Sequence, residues 1–189
     1  MLGYKKIIIP KPEKSITFTL KYYISIIKGF NMSLPYKEID LSYLESIVDG
    51  DKGLIKELII IFLDQVPEFT NGFSDFYKNR DWKNLAALAH KAKSSVTSMG
   101  MNGLGNIDLK NLELIAKSFR IIELKKIKNI SDKEQEELQR LTQQFSGLSS
   151  EKQTWIKENN NIETIDFIIK KFISTCNIAC NELRTVLEN

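Results

Sequence analysis

From residue 106 to the C-terminus the chain contains one glycine, Gly147, and no proline. These two residue types most often end helices and start turns, so a stretch this long with so little punctuation points to long helices. The composition, 42% apolar and 27% charged, is that of an ordinary folded domain and excludes disordered, collagen-like and disulfide-scaffold chains.

Helical periodicity begins after Asp40. A short helix is expected over Leu41 to Val48, with Asp40 as N-cap and Gly50 as stop. A long one follows from about Lys52 to Lys78, with Leu54, Leu58, Ile61, Phe62, Phe69, Phe73 and Phe76 at three- and four-residue steps and a bend expected at Pro67, where a backbone hydrogen bond is lost. Asp81 caps the next, which runs to Met99, and Gly100 can take the left-handed conformation that ends helices. A turn over Asn102 to Asn106 leads to a helix from about Ile107 to Ser118 or beyond, and the last helix spans about Ile162 to Leu187. The pattern predicts an all-α fold: an antiparallel four-helix bundle with a short leading helix. Residues 119–160, rich in Lys, Glu and Gln, read as an inserted helical hairpin with a capping box at Ser131 and Glu134 and a break near Ser146 to Ser150.

Residues 1–31 differ from this body of residues 32–189. Ile16, Phe18, Leu20, Tyr22, Ile24 and Ile26 alternate with more polar residues, a period of two that suggests a strand in an N-terminal appendage. The segment also holds six Lys and one Glu, so the net charge of +3 is local to it and the remainder stands at −2. No groove-reading helix accompanies that basic segment, and a nucleic-acid partner is not expected. Cys176 and Cys180, with a single His in the chain, can build neither a zinc site nor a disulfide framework, which fits a reducing compartment. No apolar run reaches the roughly 18 residues of a membrane span, and no signal peptide is visible. A soluble, cytoplasmic monomer without membrane contacts is expected.

The single histidine is the candidate chemical group. At 100° per residue, Leu85, Leu88, Ala89, Ala92, Val96 and Met99 make one apolar face centred at about 350°, whereas His90 falls at about 140° and should project into solvent. Around it lie the small residues Ala86, Ala87, Ser94 and Thr97, with the Lys93 ammonium one turn along. Such a face admits a partner close to the imidazole and offers a cation to an anion. A neutral imidazole is a nucleophile, and its phosphoramidate hydrolyses slowly where no base is near; no carboxylate is expected on this face. The preceding helix carries Ile59, Ile60, Ile61, Phe62 and Leu63 in succession, more than one face can bury, so part of that run, Ile59 and Phe62 included, is expected to join Ala86, Ala87, Ser94 and Thr97 in a docking surface.

The string Ala89-His90-Lys91-Ala92-Lys93-Ser94-Ser95-Val96-Thr97-Ser98-Met99-Gly100 resembles the histidine phosphotransfer (HPt) domain of bacterial phosphorelays, with its His, a Lys three later, a small residue at four, Ser at five and Gly at ten. The likeness covers about residues 38–118 and 161–187. Position four is usually Gly and is Ser94 here. The Gly100 to Glu113 spacing is one residue longer than the family's common pattern, so no hydrogen bond from Glu113 to the imidazole is expected.

The resemblance implies a phosphorelay intermediate that accepts a phosphoryl group on His90 from the aspartyl phosphate of a receiver domain and passes it to another receiver. Lys93 would stabilise the phosphoryl group. The partners implied are response-regulator receivers and a hybrid sensor histidine kinase, and the Mg²⁺ is expected on the receiver, with no cofactor or metal on this chain. The absence of a Gly-rich nucleotide loop from the sequence argues against an autonomous kinase. The alternative is a bundle that binds receiver or kinase partners without phosphotransfer and uses residues 119–160 to recruit them.

Overall fold

The computed structural model describes residues 36–188; the strand expected near the N-terminus lies outside them. Every regular element among the described residues is helical, and none of these helices is long and apolar enough to cross a membrane. Helix α1 spans Ser42–Ile47. The Asp40 carboxylate accepts a hydrogen bond from the Ser42 amide at 3.0 Å, so it serves the helix start from one position further out than a formal N-cap. Asp49 and Gly50, both at positive φ, turn the chain into α2, Lys52–Lys78. Asp51 caps α2 by accepting from the amides of Gly53 and Leu54, and the helix continues through Pro67.

Helix α3, Trp82–Ser98, is capped by Asp81, which accepts from the Asn84 amide. It ends at Gly100, where φ is +81° and a Cβ would stand 2.1 Å from the Asp40 carbonyl oxygen. Only glycine fits, because the segment leading into α1 crosses here and the Asp40 amide donates to the Met99 carbonyl at 3.1 Å. That segment is also tied to the far end of the chain, since the Glu182 carboxylate accepts from the amides of Lys37, Glu38 and Ile39.

The turn expected over Asn102 to Asn106 is helical instead. A π-helical turn, Leu104–Leu109, runs directly into α4, Lys110–Lys126. Gly105 makes this possible: a Cβ there would sit 2.4 Å from the Thr97 side chain and 3.1 Å from the Lys93 carbonyl oxygen, so its absence lets the π turn lie against α3. Helix α5, Asp132–Ser146, carries both halves of the Ser131 and Glu134 capping box; α6 spans Ser150–Asn159 and α7 Ile162–Glu188.

Helices α2, α3, α4 and α7 pack in a closed circuit, α2 on α3 and α7, α4 on α3 and α7. The core holds Ile59, Phe62, Phe69 and Phe73 of α2, Leu85, Ala89 and Val96 of α3, Leu112 and Ile115 of α4, and Ile165, Phe172, Cys176 and Leu183 of α7. Phe172 meets Phe73 edge-on at 4.8 Å between ring centroids. Ser118 is not a structural boundary, because α4 continues past it: Phe119 stacks on Trp82 at 4.8 Å and Leu124 is buried. The two helices expected in the insertion both form, and each packs against α4, burying Leu141 and Ile156.

Candidate functional site

His90 stands on the outer side of α3 with its side chain 66% exposed. Its Nδ1 lies 3.2 Å from Oε2 of Glu113 on α4. The other oxygen of that carboxylate, Oε1, accepts from Lys117 Nζ at 2.5 Å, one turn along α4, and Lys117 also reaches Oε1 of Gln144 on α5 at 3.2 Å. This overturns the expectation that Glu113 makes no bond to the imidazole: the outward face of α3 itself carries no carboxylate, but α4 brings one to the ring. The physical reason is the π turn. Its wider winding sets the rotation at which α4 begins, and that rotation turns Glu113 toward His90.

Burial works against an ionised Glu113, but the hydrogen bonds and charges of Lys117, and then of His90, outweigh it and hold the carboxyl below its ordinary value. An ionised carboxylate only accepts, so the contact places a proton on Nδ1 and leaves the lone pair on Nε2. Nε2 is then the nucleophilic nitrogen, and a positive charge developing on the ring when an electrophile adds there is met by the carboxylate on the other side.

Lys93 is half-buried, one turn beyond His90. Ala87 and Ser94 are exposed. Thr97 is half-buried, and its hydroxyl donates to the carbonyls of Lys93 and Ser94. Ala86, in contrast, is 5% exposed, because the outward face of α3 is partly covered on this side. Ile59 and Phe62 are buried outright, which corrects their placement in a docking surface: the stripe Ile55, Ile59, Phe62, Val66, Phe69 and Phe73 turns wholly inward. The apolar excess of the run is carried instead by Ile60 and Ile61, both about half exposed.

A cleft of about 660 Å³ opens beside His90 between α3, α4 and α5. Trp82, Ala86 and Leu141 give it apolar walls, and Lys83, Lys117, Arg120 and Arg140 bring cations against the carboxylates of Glu113 and Glu137. Arg120 grips Glu137 through Nε and Nη2, at 3.3 and 3.1 Å. Glu137 is held below its ordinary value, burial being outweighed chiefly by Arg120.

Sequence reasoning missed Glu113, Lys117, Arg120, Glu137 and Gln144. The Glu113 and Lys117 spacing of four was a visible signal for an ion pair, but not for the register that brings it to His90. Cys176 is no competing nucleophile, since burial pushes its thiol up to about 12. No protein-family model, curated protein or solved structure matches the chain.

Proposed function

We propose that this chain is an HPt-like phosphotransfer protein, a four-helix bundle of α2, α3, α4 and α7 that carries a phosphoryl group on His90 between receiver domains. The observation that carries this reading is a largely exposed imidazole whose Nδ1 is tethered to a buried carboxylate, which leaves Nε2 free to attack. In the forward step the Nε2 lone pair attacks the phosphorus of a receiver's aspartyl phosphate. The N–P bond forms, the P–O bond to the aspartyl carboxylate breaks, and that carboxylate leaves with the electron pair. Glu113 balances the positive charge on the ring, while the Lys93 ammonium meets the phosphoryl oxygens. The reverse sequence delivers the group to a second receiver.

The receiver brings the Mg²⁺, and a hybrid sensor histidine kinase supplies phosphate upstream. The chain is then a carrier without an ATP site rather than an enzyme, acting in the cytoplasm. Ala87, Ser94 and Thr97, with Lys93, form the partner's approach to the ring.

Incubation with a receiver domain charged by acetyl phosphate should put acid-labile, base-stable phosphate on the wild-type chain and none on His90→Gln, whose melting temperature should stay within a few degrees of wild type because so little of the side chain is buried. Label on His90→Gln overturns the reading. Tight binding of the receiver with no label on wild type would favour the interaction module.

A further inference from the structure

The Glu113 carboxylate is divided between two partners. Oε1 accepts from Lys117 Nζ at 2.5 Å, and Oε2 faces His90 Nδ1 at the longer distance of 3.2 Å. Lys117 is itself held at a second point, because the same Nζ donates to Gln144 Oε1 on α5 at 3.2 Å. The side chains of Lys117 and Glu113 are 18% and 9% exposed, so water screens this pair little. The other charges near the ring are engaged elsewhere or unpaired. Among the described residues, Lys83 of α3 and Arg120 of α4 pair with Glu137 of α5, and Lys93 of α3 and Arg140 of α5 pair with no carboxylate. Glu113 is therefore the carboxylate that meets the ring, and Lys117 the ammonium that meets that carboxylate.

A phosphoacceptor histidine makes opposing demands on such a carboxylate. Once an electrophile has added at Nε2, the ring is positive and gains from a nearby anion. Beforehand the same anion favours the imidazolium, in which both nitrogens carry protons and no lone pair is left for attack. We propose that Lys117, anchored by Gln144 of the inserted helix α5, is a positioning residue that reconciles the two demands: it takes one oxygen of Glu113 and counters its charge, so that the imidazole rests neutral with Oε2 on Nδ1 and the lone pair on Nε2. The inference rests on the phosphotransfer reading above. It also gives α5 a share in the site without contact with the phosphoryl group, since the helix reaches the ring through Gln144, Lys117 and Glu113 in turn.

The test uses the full chain and reads the ring directly. His90 is the one histidine of the sequence, so its Cε1 proton gives a single titration curve by NMR. Lys117→Gln keeps a donor but drops the charge, and Lys117→Arg keeps the charge. As a control, Lys91→Gln removes a charge from the other side of α3, where Lys91 pairs with Glu68. Labelling is followed with phosphoramidate, which needs no partner: Nε2 bonds to phosphorus, the P–N bond breaks, and ammonia leaves with the electron pair. For Lys117→Gln the titration curve should move to higher pH. Its labelling should fall about 5-fold or more against wild type at pH 6.5, yet stay within about 2-fold at pH 9, where an imidazole holds no second proton. Lys117→Arg should restore most of the rate at pH 6.5, and Lys91→Gln should follow wild type at both values. A curve that stays in place or moves to lower pH overturns the proposal. So does an equal loss of labelling at both pH values, the mark of a merely structural role, or an equal shift in Lys91→Gln. If Lys117→Gln does not fold, Gln144→Glu takes its place at an exposed position: the added anion competes for Lys117 and should move the curve the same way by less, and an unmoved curve overturns the proposal. If phosphoramidate leaves wild-type His90 unlabelled at both pH values, the phosphotransfer reading fails and this proposal with it, a result separate from the others.

Discussion

Helix α3 has two polar flanks, and they differ in depth rather than in residue type. On the side of α2, Lys91 pairs with Glu68 at 2.6 Å and Ser95 donates to Gln65; Lys91 and Glu68 are each more than half exposed. On the side of α4 and α5, the contacts run in two chains, His90 to Glu113 to Lys117 to Gln144, and Lys83 to Glu137 to Arg120 to Glu123. There the side chains of Glu113, Glu137, Arg120 and Lys117 are only 9 to 18% exposed. Exposed pairs are worth about 0–1 kcal/mol, whereas removing one partner from a buried pair strands the other charge and costs about 3–5 kcal/mol. The first flank closes an interface over an apolar core; the second holds a titratable ring in one orientation.

The largest test of that contrast removes the second flank. Replacing residues 119–160 by a short Gly and Ser linker deletes Leu124, Leu141 and Ile156, each contributing about 1.5–3 kcal/mol by burial, together with the half-buried Phe119. That sum is comparable with the roughly 5–15 kcal/mol that holds a domain folded. The deletion should lower the melting temperature by more than ~10 °C or abolish cooperative unfolding. A deletion of 127–160, which keeps the Phe119 stack on Trp82 and buried Leu124, should cost less. Wild-type melting of the longer deletion would show that the inserted helices are merely appended.

A smaller change separates orientation from packing within the network. Glu113→Ala should cost about 3–5 kcal/mol, because it strands the largely buried Lys117 charge, and should slow labelling of His90 about 10-fold, because the ring loses its tether. Glu113→Gln keeps an acceptor for Nδ1 and should recover part of that rate. The pH dependence follows from the direction of the Glu113 shift. Its carboxyl is held below the ordinary 4.5, so its stabilisation is complete above that value and is lost as pH falls through the lower folded value. In a His90→Gln background, where Lys117 is the remaining cation on the carboxylate, the stability gap between Glu113 and Glu113→Gln chains should be level from pH 8 to about 5 and narrow below 4.5. A gap that widens on acidification would mean the carboxyl is protonated in the folded chain.

Much of this was legible in the sequence, and the limits have identifiable causes. The caps at Asp51 and Asp81, the stop at Gly100 and the capping box at Ser131 act within a few residues, and local chemistry determines them. The outward direction of His90 followed from the period of α3 alone. The partner of the imidazole did not, because the wider winding of a π turn sets the rotation of everything on α4, and a period of 3.6 carries no sign of it. Ile59 and Phe62 were misplaced for a related reason: a run of five apolar residues says that some are exposed, but the stripe beginning at Ile55 decides which, and it leaves Ile60 and Ile61 outside.

The smallest expected effect lies on the first flank. Glu68→Gln removes the charge that faces Lys91 while keeping the side chain's length, and Lys91 also lies 5.6 Å from the centre of the Phe69 ring, a contact that does not need Glu68. Both partners keep water, so the substitution should change stability by less than about 0.5 kcal/mol and leave phosphoramidate labelling of His90 unaltered. Coupling between Glu68→Gln and Glu113→Gln, measured as a double-mutant cycle in urea, should vanish within error, because the two sites lie on opposite flanks of α3 and share no partner. A coupling above about 0.5 kcal/mol would show that α3 passes strain from one flank to the other, and the division drawn between a closing flank and an orienting flank would not hold.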